Sequence, residues 1–212
     1  LSDEEDMTED GFYTRVLNVA SISKSTTPAN KTNDEVSQLK EFNAAIVFVI
    51  DSTISMGPYI ERTREAVKKV YDKINKDNLG QQVKFGLVSF RSSTKEVPGL
   101  EYTTRMYVDP NDVKNGDDFL KKVENLQEAK VSSKLFDEDA YAGVMTAIDK
   151  IDWSHFGARY VVLITDAGAI DADNKLSSTG LGAKQIRLEA GNPGVAIYTL
   201  HLKTDAGKKD HS

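Results

Sequence analysis

Asp51, Thr53 and Ser55 carry oxygen atoms at alternate positions directly after an unbroken apolar run, Ala44-Ala45-Ile46-Val47-Phe48-Val49-Ile50. A second apolar run, Tyr160-Val161-Val162-Leu163-Ile164, leads in the same way into Thr165 and Asp166. A loop leaving a strand and entering a helix can turn positions i, i+2 and i+4 toward one point. Asp166 then comes in from the neighbouring loop, to ligate directly or through a water. Carboxylate and hydroxyl oxygens gathered in this way suit hard divalent cations such as Mg2+, Ca2+ or Mn2+. The plainer reading of both aspartates is as helix caps, where Asp is favoured.

Other chemistries find little to work with. The chain has no cysteine, so a thiol nucleophile, a redox pair and a thiolate zinc site are excluded. His155 falls in a loop before a strand, and His201 is expected to pack within the last strand; neither has a serine elbow beside it. An Asp after an apolar strand also suits a haloacid-dehalogenase-type phosphatase, but the general acid needed two residues on is replaced by Thr53. No Gly-x-Gly-x-x-Gly follows the first apolar run. Nor is there a His-Arg-Asp segment or an Asp-Phe-Gly of the kinase type. The chain therefore reads as a binding module and not as an enzyme.

The elements that must position these residues follow from periodicity. The run 44–50 is short, apolar and rich in β-branched residues, the pattern of a strand buried on both faces. Ile60, Val67, Val70, Tyr71 and Ile74 then recur at helical spacing. Val83–Phe90 is a second strand, and 102–108 alternates as a half-exposed edge strand does. Phe119, Leu120, Val123 and Leu126 mark a second helix; Tyr141, Val144, Met145, Ile148 and Ile151 mark a third. After the strand 160–164 come a short helix over 181–190 and a last apolar strand over 195–202. Strands alternating with helices predict a doubly wound α/β fold, with a mostly parallel central sheet flanked by helices. In such sheets, ligands bind at the carboxyl ends of the strands. Both Asp51 and Asp166 stand there.

Residues 1–43 differ from the rest. Phe12, Val16, Val19 and Ala20 have helical spacing, so an N-terminal extension of one short helix plus a linker is expected, followed by a single domain over 44–212. Residues 21–33 have the Ser-, Thr-, Asn- and Lys-rich composition of a linker. The start at Leu1 reads as that of a fragment, with any anchor or targeting signal lying outside it.

Asp51-x-Thr53-x-Ser55 after one apolar strand, with Asp166 after a later one, resembles the metal-ion-dependent adhesion site of von Willebrand A domains. The resemblance covers residues 44 to about 202. It implies a Rossmann-like fold, a divalent cation (Ca2+ or Mg2+) and a protein partner. The usual motif has Ser where Thr53 stands, a change that keeps the hydroxyl. It also has a distant Thr just before the helix that precedes the fourth strand. Here that place reads Phe136-Asp137-Glu138-Asp139-Ala140-Tyr141-Ala142-Gly143, and Asp139 falls best on the Thr position, with Asp137 second. The implied ligand set is Asp51, Thr53, Ser55, Asp139 and Asp166. Asp139 also suits the N-cap of its helix. Asp137 and Glu138 read as solvated loop charges. A further carboxylate would overbalance the ion's charge, favour Ca2+ and weaken its pull on a partner's acidic group. A site that has lost its metal, with the fold kept as a scaffold, is the alternative.

The segments 48–59 and 136–143 also resemble the C-terminal domain of type VI secretion-associated serine/threonine kinases of the PpkA family. That resemblance implies a regulatory or sensing role in the periplasm, as part of a bacterial inner-membrane protein whose kinase activity lies elsewhere. Components that regulate secretion are then the expected partners. The family usually ends with one more helix and strand than this chain shows. A net charge of −6 over 212 residues disfavours nucleic acid, and no apolar run reaches the roughly 20 residues of a membrane span.

Overall fold

The computed structural model describes residues 3–7, 13–17, 43–113, 116–133 and 136–204. The chain divides into two compact units, Leu1–Leu39 and Lys40–Ser212. In the first, β1 (Asp3–Met7) pairs antiparallel with β2 (Tyr13–Leu17). This corrects the expected helix. Val16 lies in a strand, and Phe12, Val19 and Ala20 fall outside the described residues. Tyr13, Thr14 and Val16 are aromatic or β-branched, a composition that favours a strand over a helix once a pairing partner is available.

The second unit runs β3 (Ala44–Asp51), α1 (Gly57–Lys76), β4 (Val83–Phe90), β5 (Thr104–Val108), α2 (Gly116–Val123), α3 (Ala140–Lys150), β6 (Ala158–Thr165), α4 (Ala183–Gly191) and β7 (Ala196–His201). The strands form one five-stranded sheet in the order β5-β4-β3-β6-β7. All neighbours are parallel except β4 and β5. The family of strand–helix–strand crossovers is thus doubly wound, as the alternation predicts, and β5 is the antiparallel edge.

Alternation along β3 explains both layers. Ala45, Val47 and Val49 face Val144, Ala147 and Ile148 of α3 and Ile186 and Ala190 of α4. Phe48 and Ile50 face Ile60 and Val67 of α1 and Phe119 and Val123 of α2. On that second side Phe85 stacks between Phe48 and Phe119, with centroids 6.4 and 5.3 Å away. A central strand covered on both faces needs apolar residues at every position, which is why the sequence run is unbroken. Gly143 lets the first turn of α3 press onto the sheet. A methyl group there would come within 2.9 Å of Phe90 and Val49 side-chain carbons.

The last strand departs from expectation. Tyr198 and Leu200 are 42% and 49% exposed, and His201 is exposed as well. Among the described residues β7 is an edge strand paired with β6 alone, so apolar residues here are less covered than the same pattern in β3.

Candidate metal centre

Registration brings the key residues to one edge. Asp51 ends β3 beside Phe90 of β4, and Ile50 pairs with Ile164 of β6, so Thr165 and Asp166 emerge next to Asp51. Beyond the strand the backbone still alternates. Ser52 turns inward: its Oγ lies 2.6 Å from Ser89 Oγ and 3.1 Å from the Tyr102 hydroxyl. Behind it, the buried Arg91 donates to Ser52 O and Oγ and to Gln127 O, pairs with Glu101, and stacks on the Tyr102 ring at 4.2 Å. This network clamps the loop from below. Asp51, Thr53 and Ser55 are left to face the other way.

Those three and Asp166 form a chain of oxygens. Asp51 Oδ1 accepts from the Thr53 amide at 2.8 Å and from Thr53 Oγ1 at 2.7 Å. Asp51 Oδ2 accepts from Thr165 Oγ1 at 3.1 Å. Thr53 Oγ1 and Ser55 Oγ lie 3.1 Å apart, and Ser55 Oγ lies 3.2 Å from Asp166 Oδ1. Thr204 Oγ1 donates to Asp166 Oδ2 at 2.7 Å. The Thr53 and Ser55 hydroxyls bring two protons to three oxygen–oxygen contacts, so one contact lacks a proton. An excess of oxygen lone pairs over protons is what a cation would satisfy.

Electrostatics point the same way. Asp51 is fully buried, and that burial, aided by the charge of Asp166, pushes its pKa up to about 6 against the lowering effect of its Thr53 and Thr165 hydrogen bonds. Glu138 is 3% exposed. Burial first, then the charge of Asp51, push it up to about 9, while Ser133 and the nearby Ser92 act to lower it. Two like charges beside a buried carboxylate are tolerable only with a proton or a cation among them. Hydroxyls belong to the set as much as carboxylates do: among the described residues, no three acidic or histidine side chains gather closely enough to cage an ion by themselves.

The von Willebrand factor type A domain model matches residues 45–209. The chain belongs to that family. Domains of this kind are typically interaction and adhesion modules and not catalysts. Among solved structures, proximal thread matrix protein 1 from the mussel byssus is similar over 74% of this chain and 35% of that one, with 16% identity and a TM-score of 0.54. The same protein with a zinc-occupied MIDAS motif gives 14% identity over the same shares, with a TM-score of 0.53. This chain thus spans about a third of the length of those proteins, and at such identities the likeness concerns the fold. No curated protein matches the chain.

Within this von Willebrand A domain, Asp51, Thr53, Ser55 and Asp166 come together as the spacing predicts. Asp139 is engaged elsewhere. Its Oδ1 accepts from the Ala142 amide, capping α3 at 3.4 Å, and its Oδ2 accepts from the Ser178 amide at 3.0 Å. The capping reading of Asp139 is therefore the one its contacts follow. Asp137 is exposed, as expected, whereas Glu138 is buried and not the solvated charge its neighbours suggested. Thr165 and Thr204, which hold the second oxygens of Asp51 and Asp166, were not singled out in the sequence. Thr165 had a signal, lying between an apolar strand and Asp166. Thr204 had none, since only the return of β7 alongside β6 brings it to the site.

Proposed function

We propose that this von Willebrand A domain holds a divalent cation, Ca2+ or Mg2+, through Asp51, Thr53, Ser55 and Asp166, and that the loaded edge docks a protein partner. The observation that carries this reading is the proton-short chain of four ligand-type side chains at the carboxyl edge of a doubly wound sheet. Carboxylates and hydroxyls are hard oxygen donors, and the residues present fit such an ion. The bound ion would supply a fixed positive charge among buried carboxylates. The chain's own residues orient the donors, and the Arg91 network keeps the loop in place. A protein of the same fold whose structure holds zinc in its MIDAS motif supports a metal at this edge.

The finer assignment rests on the segments 48–59 and 136–143. On that resemblance, the domain serves as the periplasmic regulatory or sensing part of a type VI secretion-associated kinase, with secretion-regulation components as partners. The fold and the cation site do not depend on it.

Isothermal titration of chelator-treated protein with Ca2+ and Mg2+ tests the metal reading. Saturable binding to the parent is expected, with a loss of about 100-fold or more in Asp51→Ala. Absence of heat with either ion, in a protein that melts cooperatively, would leave a metal-free scaffold.

A further inference from the structure

We propose that the groove between α1 and the open half of the sheet, over β6 and β7, is a second docking surface, and that its occupant is an amphipathic helix with acidic flanks, presented by another protein. The proposal does not require the cation site to be filled.

The same two strands are covered on one face and open on the other. Val161 and Leu163 of β6 point to the side of α3 and α4 and are buried there. Tyr160, Val162 and Ile164 point to the opposite side, and in-register pairing puts Ala196, Tyr198 and Leu200 of β7 beside them. On that side α1 and α2 cover β3 and β4. Beyond Ile164 the cover stops: Tyr160 and Val162 are half-buried, and Tyr198 and Leu200 are exposed, although the Tyr160 and Tyr198 rings meet at 6.2 Å. Parallel strands take apolar cover on both faces, so this part of the sheet is a floor with no helix over it among the described residues.

α1 supplies the wall. Tyr59, Thr63, Ala66 and Val70 follow one another at steps of four, three and four, which keeps them on one side of the helix. Tyr59, Thr63 and Ala66 enclose a cavity of about 250 Å3 with Ile164, Leu200 and Leu202. Ala66 and Val70 are exposed. The axis of a neighbouring helix lies roughly 8–10 Å from that of α1, which matches two strands at about 4.8 Å each. The floor is therefore one helix wide. From Tyr59 to Val70 the wall runs about 16 Å, or three helical turns. An extended strand would leave this floor bare, because it pairs at the edge of β7 and not above it.

Charge at the rim selects the helix. Arg62 on the wall and Lys203 just past β7 are the charged residues that line the groove. Lys69, two turns on from Arg62, continues the outer rim of α1. None of the three forms an ion pair among the described residues, and the Arg62 guanidinium lies over the Tyr59 ring at 6.0 Å. Glu61 and Asp72 are taken by Arg64 and Lys68, while Glu65, one turn from Arg62 and from Lys69, pairs with neither. In a chain of net charge −6 this is a local basic rim around an apolar groove. A helix with apolar residues at i, i+3, i+4 and i+7 would meet the floor and wall, and Asp or Glu on its flanks would face Arg62, Lys69 and Lys203. Apolar burial supplies the affinity. The rim sets which helix is admitted, because exposed ion pairs add little energy while like charges are penalised.

The probe is a labelled, end-capped helical peptide of about four turns, with Leu at i, i+3, i+4 and i+7 and Glu on both flanks. Followed by fluorescence anisotropy, it should bind the full chain with a Kd of about 10–100 µM. The same peptide with Lys in place of Glu should bind at least about five-fold more weakly. Leu200→Asp should abolish binding, and Arg62→Glu should narrow or reverse the preference for the Glu peptide. Both positions are exposed, so both variants should melt like the parent. Failure of the Glu peptide to bind the parent, or equal binding of the two peptides, would overturn the proposal. Binding that survives Leu200→Asp would place the peptide elsewhere and overturn it too. A concentration-dependent dimer in sedimentation, lost in Leu200→Asp, would overturn it in favour of a second copy as the occupant.

Discussion

Asp51 and Glu138 are carboxylates with almost no exposure, 0% and 3%, one at the end of β3 and the other on a loop bridged to Ala169 at the same sheet edge. They differ in what surrounds them. Asp51 ends a strand whose next residue turns inward to a polar network, so its oxygens meet an amide and two threonine hydroxyls. Glu138 lies on a loop stitched by its backbone; its side chain is eased by Ser133 and Ser92 but opposed by the charges of Asp51 and Asp166. Burial alone therefore does not set the proton affinity of a carboxyl. Donors return part of the desolvation cost while the charges of neighbouring carboxylates add to it, and together these separate a pKa of about 6 from one of about 9.

The largest test of that contrast is the stability of metal-free protein against pH. Both groups hold their protons more tightly folded than unfolded. Their contribution to stability is present below about pH 4, and it is lost as pH rises through about 6 for Asp51 and about 9 for Glu138. Urea melts between pH 6 and 9 should show stability falling by on the order of a few kcal/mol, with most of that slope absent in Glu138→Gln. Added Ca2+ should restore more stability at pH 9 than at pH 6. A slope that survives in Glu138→Gln would place the titration elsewhere.

A smaller effect is expected from Thr53→Val. It strips the hydroxyl from Asp51 Oδ1 while keeping size and backbone amide, and denaturant melts should register about 1–3 kcal/mol of destabilisation together with weaker Ca2+ binding. If Thr53→Val melts like the parent, donors do not account for the difference between the two carboxyls. Smallest is Thr165→Val, which removes the 3.1 Å donor from Asp51 Oδ2. It should cost about 1 kcal/mol and move the Asp51 titration, followed by NMR of the side-chain carboxyl, further upward.

Much of the fold was legible because β3, β4 and β6 lie inside the sheet and are covered by helices. There, packing on both faces demands the continuous apolar runs that the chain displays. The same signal misled at β7, where an edge position leaves Tyr198, Leu200 and His201 in contact with solvent. At β2, sparse helical spacing in Val16 and its neighbours was overridden by strand pairing with β1. Asp51, Thr53, Ser55 and Asp166 were legible because alternation after a strand end is a local property. The choice among Asp137, Glu138 and Asp139 was not, since three adjacent acidic residues carry no periodicity to say which one turns inward.

By itself the sequence determined a doubly wound von Willebrand A sheet with paired aspartates at its carboxyl edge, because periodicity and strand-end spacing are written in neighbouring residues. Only the tertiary structure decided that Asp139 also accepts from Ser178, that Glu138 is buried, and that Thr204 returns to hold Asp166. Each of those depends on contacts between segments distant in the chain, and no local pattern of residue types encodes them.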